Sequence, residues 1–116
     1  MDILFKRDKD RETANSESKL RKQFRGNERR ANLIRARLDE LADAENLEVM
    51  RHLPQASCHE LKADRKGQLA VKLDHGFRLI FEPGPNPPPL KPDGGLDWSR
   101  VTPVLILELA ENYHGE

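Results

Sequence analysis

The chain is poor in the residues that tie a protein to disulfide, metal or membrane chemistry. Its 116 residues include one cysteine, Cys58. A lone thiol makes no intramolecular disulfide and no cysteine metal site. No apolar run approaches the roughly 20 residues of a spanning helix. The opening segment, MDILFKRDKD, lacks the apolar stretch of a signal peptide, so a cytosolic protein with no membrane partner is expected. There is no Walker-type glycine loop, no zinc-ligand spacing and no nucleophile elbow, so neither a metal nor a small-molecule cofactor is expected. Apolar residues make up 36% and aromatics only 5%. That suits a small core in one domain, residues 1–116.

Charge is what the chain has in quantity: 34% Asp, Glu, Lys and Arg, with a formal net charge of zero. Its distribution is uneven. Residues 1–37 hold twelve Lys/Arg against six Asp/Glu, whereas residues 79–116 hold two against six. A basic first third can face an anionic partner or simply clothe solvated helices.

The stretch 58–82, CHELKADRKGQLAVKLDHGFRLIFE, reads as three short strands joined by two tight turns. Asp64-Arg65-Lys66-Gly67 forms the first turn and Asp74-His75-Gly76 the second. Asp can bond its own backbone two residues on, and Gly accepts positive φ. Leu69, Val71 and Leu73 alternate with Gln68, Ala70 and Lys72, the period of a half-buried strand. Phe77, Leu79 and Phe81 alternate with Arg78, Ile80 and Glu82. With helices over the Phe/Leu/Phe row, Arg78 is expected on the open face of the sheet, where a carboxylate across the strands is one partner and a ligand another.

Before this meander, residues 2–6 read as a strand with Ile3 and Phe5 on one face. Residues 9–24 read as a helix with a narrow apolar edge (Ala14, Leu20, Phe24), with an interruption at Asn15-Ser16. Gly26-Asn27 reads as a stop followed by an N-cap. Ala31, Ile34, Leu38, Leu41 and Glu45 then make one helical stripe with arginines around it, closed by Leu47 and Leu53 before Pro54. After the meander, the six prolines before Pro103 (Pro83, Pro85, Pro87, Pro88, Pro89, Pro92) and three glycines exclude helix or central strand from a loop over 83–103. Trp98 near its end is expected to anchor the loop, or to present a partner-binding surface. Val104-Leu-Ile-Leu-Glu-Leu109 is a strand buried on both faces. The order β-α-α-β-β-β-β implies an α+β fold, two helices on one face of a mostly antiparallel sheet.

Four polar residues are candidates for chemistry: His59, Arg78, Tyr113 and His114, with Lys62, Arg65 and Lys66 nearby. A guanidinium binds two phosphate oxygens with a planar fork and stabilises charge gathering on phosphorus. Histidine moves protons near neutral pH. His59 shares the parity of Leu61, so a regular strand is expected to turn it into the core. An irregular start would bring it to Arg78. His52 and His75 fall in a helix end and a turn and receive no role.

His59-Glu-Leu-Lys-Ala-Asp-Arg-Lys-Gly67, then Phe77-Arg78-Leu79-Ile80-Phe81, then a final Tyr113-His114, resembles the HigB-type killer proteins of the RelE/ParE toxin superfamily. The likeness spans nearly the whole chain, with the 83–103 loop as an insertion. The resemblance implies a RelE-like fold and a ribosome-dependent endoribonuclease that cuts mRNA without a metal and is neutralised by a cognate antitoxin. It implies that His59 matches the family's histidine before the first turn and Arg78 its phosphate-binding arginine. Asn112, Tyr113 and His114 match its terminal Asp-Tyr-His, and Lys62, Arg65, Lys66 and Asn112 lie along the RNA. Asn112 is the departure, because an amide neither accepts a proton nor holds an imidazolium as Asp does. The alternative is a non-catalytic protein of the same fold, either a gyrase-directed toxin or an inactive antitoxin-binding partner.

Overall fold

A computed structural model describes residues 1–113. The strands are β1 (Asp2–Phe5), β2 (His59–Glu60), β3 (Leu69–Lys72), β4 (Phe77–Pro83) and β5 (Pro103–Asn112). The helices are α1 (Asp8–Ala14), α2 (Glu17–Gln23) and α3 (Glu28–Asp43). Together they make an α+β structure with one open, mixed five-stranded sheet in the order β1-β5-β4-β3-β2. Among the described residues only the β1–β5 pair is parallel.

The two helices expected are three α-helices among the described residues, because the first breaks at Asn15-Ser16. Ser16 is why. Its hydroxyl accepts from the Lys19 N–H and caps α2, offering the backbone an alternative to continuing α1. Asn27 does sit at the N-cap of α3, but its side chain makes no capping bond. Glu45 lies beyond α3 and is exposed, so the helix's apolar stripe ends at Leu41. Two of the surrounding arginines, Arg30 and Arg37, are buried rather than solvated.

Alternation in the strands sorts side chains into two apolar layers. Leu69, Val71, Leu73, Leu79 and Phe81 meet Ala31, Ile34, Leu38 and Leu41 of α3 in the main core. Leu61, Ala70, Ile80 and Leu107 form a smaller buried cluster on the other face. That second layer explains why β5 reads as continuously apolar: Val104 and Ile106 join one face's core and Leu107 the other's.

The β3–β4 turn is closed by the Phe77 N–H on the Asp74 carbonyl at 2.8 Å. His75 and Gly76 both have positive φ there, as type I′ turns require. Segment 83–103 contains no α-helix, but the expected loop is shorter than that: Pro83 ends β4 and Pro103 begins β5, and between them lie an isolated bridge between Leu90 and Leu96 and a 3-10 turn at Trp98–Arg100. Trp98 is buried; its Nε1–H donates to Glu60 Oε2 at 2.9 Å and its ring lies under the Arg51 guanidinium at 3.7 Å. It is the loop's anchor.

Candidate anion site on the sheet face

Arg78 owes its position to register. It pairs with Lys72 of β3 on one side and with Glu111 of β5 on the other, so the three side chains stand in one row. The row lies on the face away from the helices, but Arg78 is not open to solvent: its side chain is 17% exposed. Its Nε donates to Glu111 Oε1 at 2.9 Å and its Nη2 to Oε2 at 3.4 Å. The Tyr113 ring lies 4.4 Å from the guanidinium carbon, a cation–π contact.

Arg65 reaches the same carboxylate from the segment after β2. Its Nη2 lies 2.6 Å from Glu111 Oε2 and donates to Glu108 Oε2 at 2.7 Å, while Nη1 donates to Gln68. Burial works against the Arg65 charge, but the hydrogen bond to Glu108 and the charge of Glu111 outweigh it, and its pKa is raised.

A strand's alternation would put residues 108 and 111 on opposite faces. Here Arg78 pairs with Glu111 and Ile80 with Glu108, so β5 spends three residues where β4 spends two. This bulge brings both carboxylates to one side.

His59 also lies on this face. It pairs with Ala70, which belongs to the smaller cluster along with Leu61. The shared parity of His59 and Leu61 was therefore real, but their face is the one that holds Arg78, not the helical core. Regular pairing, rather than an irregular strand, brings the imidazole here. Its Nδ1 donates to the Ser57 carbonyl at 2.8 Å. A carbonyl only accepts, so in the neutral ring Nε2 keeps its lone pair for a proton.

His59, Arg78, Tyr113 and Lys72 line one cavity of about 280 Å³. A second hollow of about 430 Å³ is lined by Lys62, Arg65, Arg78, Glu111, Asn112 and Tyr113. Arg78 and Tyr113 thus sit between the two. Lys66 lines neither; with Lys62 it borders a groove under the proline loop, beside the exposed Leu90. His114 lies outside the described residues. No group of three or more His, Cys, Asp or Glu among the described residues is placed to hold a metal ion. Burial pushes the Cys58 thiol up to about 12, which leaves it little thiolate at neutral pH.

Lys72, Glu108 and Glu111 belong to the site and were missed by sequence reasoning. Lys72 was within reach, because a three-residue turn at 74–76 pairs Leu73 with Phe77 and hence Lys72 with Arg78. Glu111 was not, since its partners depend on the bulge.

No helix among the described residues is long and apolar enough to cross a membrane. No family model, curated protein or solved structure matches the chain.

Proposed function

We propose that the chain is a HigB-type toxin of the RelE/ParE superfamily, a cytoplasmic, ribosome-dependent mRNA endoribonuclease held in check by a cognate antitoxin. One observation carries the reading: Arg78, His59 and Tyr113, from three separate strands or strand ends, line one cavity. A helical layer on one face of a mostly antiparallel sheet supports a RelE-like assignment.

In the proposed reaction a base takes the proton from a ribose 2′-hydroxyl, whose oxygen attacks the adjacent phosphorus and expels the 5′-oxygen. His59 fits the base, with Nδ1 occupied by Ser57 and Nε2 left to accept. His114 is the alternative base; whichever histidine is not the base, or Tyr113, protonates the leaving oxygen. Arg78 binds the phosphate and stabilises its added charge. Lys72 lines the same cavity, and Lys62 lines the adjoining hollow. Among the described residues neither lysine, nor Lys66, has a carboxylate within salt-bridge distance, so their charge is available to a polynucleotide. Tyr113 offers a ring on which an unpaired base can stack.

The pairing of Arg78 with Glu111 favours a second reading, a non-catalytic protein of the same fold that binds gyrase or an antitoxin. There the arginine serves the sheet rather than a phosphate. The two readings part in growing bacteria. Expression of the wild type is expected to arrest growth and cut mRNA within codons, with both effects lost in Arg78→Ala and His114→Ala. Arrest with intact mRNA and DNA damage would favour the gyrase-directed reading.

A further inference from the structure

We infer that Glu111 is an internal occupant of the anion site: its carboxylate sits where a phosphate group of RNA would lie between Arg65 and Arg78, and must leave for RNA to enter. The inference rests on the reading above that this face receives RNA.

The geometry is that of an anion in a built site. A two-oxygen acid lies between two guanidinium groups, one gripping it through Nε and Nη2 and the other touching Oε2 at 2.6 Å. Planar forks of this kind bind carboxylate and phosphate alike. The site is also partly withdrawn from water, with the Glu111 side chain 15% exposed and Arg78 17% exposed. Arg65 has a second acid in Glu108, whereas Arg78 shows an ion pair with Glu111 alone among the described residues. If the carboxylate swings away, Arg78 is left bare beside Tyr113 and the His59 cavity, while Arg65 stays anchored. The occupied site is electrically balanced, two guanidiniums against Glu108 and Glu111. Without Glu111 it carries one net positive charge, facing both hollows. Glu111 therefore sets the affinity of the face for RNA phosphate, and Arg65 is a second phosphate ligand rather than a bystander of the turn.

The probe is a labelled 2′-O-methyl oligoribonucleotide, which lacks the attacking hydroxyl and cannot be cut, followed by fluorescence anisotropy. Removing the competing charge in Glu111→Gln is expected to tighten binding roughly tenfold, the scale of one charge-assisted contact. It is also expected to steepen the salt dependence by about one phosphate contact. Glu111→Asp, which keeps the charge but draws it back, should fall between. Glu108→Gln should change little, and Arg78→Ala added to Glu111→Gln should abolish the gain. Circular dichroism melts establish that each variant is folded. If Glu111→Gln does not fold, the Asp variant decides: a gain of a few-fold supports the inference, and wild-type affinity overturns it. A folded Glu111→Gln protein with wild-type affinity and salt slope also overturns it. Gain of binding with no mRNA cleavage by any variant would keep the internal anion and discard the nuclease. Cleavage by the wild type with no gain would do the reverse.

Discussion

Asp74 shows how one residue can serve two layers at once. Read from its neighbours it is a turn former whose carboxylate serves its own backbone. In the fold it does close the turn, through its carbonyl, but the carboxylate is buried against α3. Arg30 Nε donates to its Oδ1 at 2.9 Å and Nη2 to Oδ2 at 3.4 Å, and the same guanidinium lies 3.5 Å from the centre of the Phe77 ring. The two side chains are 11% and 5% exposed. Removing one member of such a pair leaves the other as an uncompensated buried charge. Asp74→Ala is therefore expected to destabilise the protein by about 3–5 kcal/mol in urea unfolding. A loss below about 1 kcal/mol would mean that the pair is wetter and weaker than its burial indicates. Nothing in the local sequence announces this contact, because it requires α3 to lie across a hairpin 44 residues away. The arginines around the α3 stripe looked solvated for the same reason. Arg37 spends its donors on the Lys72 and Gln55 carbonyls and on Glu40.

At the level of elements, the sequence was most legible where period and turn chemistry agree. The β3–β4 hairpin follows from strict alternation around Asp74-His75-Gly76. The α1–α2 break follows from Asn15-Ser16. β5 was legible as a buried strand but not as a bulged one, since bulges respond to the partner strand and leave no mark in apolar content. The parity of His59 and Leu61 points to the helical core only if the far face is polar; a second apolar layer there takes Leu61, and His59 goes with it. The proline-rich segment was correctly denied helix, and its fastening is specific: Trp98 packs under Arg51 and bonds Glu60, tying the loop to the edge strand β2. Trp98→Ala is expected to cost about 3–5 kcal/mol of stability, as large-to-small core changes do. An anchor lost in this way should also make the 83–97 segment more sensitive to limited proteolysis. Wild-type stability in that variant would argue instead for Trp98 as a surface held ready for a partner.

Over the whole molecule, zero net charge conceals a division of labour. Much of the charge is cancelled locally, as in the i,i+4 pairs Glu17–Arg21 and Arg35–Asp39 on the helices. On the far face of the sheet Arg65 and Arg78 are also cancelled, by Glu108 and Glu111. Among the described residues Lys62 and Lys72, which line the two hollows, have no carboxylate within salt-bridge distance. On the function proposed above, these lysines, two masked arginines, an imidazole and a phenol ring attract a polynucleotide and present the strongest phosphate ligand only on contact. The account stands or falls on whether Arg78 and His59 act on the same RNA phosphate. The most direct measurement is single-turnover cleavage of end-labelled mRNA on programmed ribosomes by the purified protein. The wild type is expected to cut within the decoding-site codon, leaving a 2′,3′-cyclic phosphate. His59→Ala and Arg78→Ala are each expected to slow the cut about 10²–10⁴-fold while remaining folded. Cleavage at the wild-type rate by both variants, or none by the wild type on ribosomes, would contradict it.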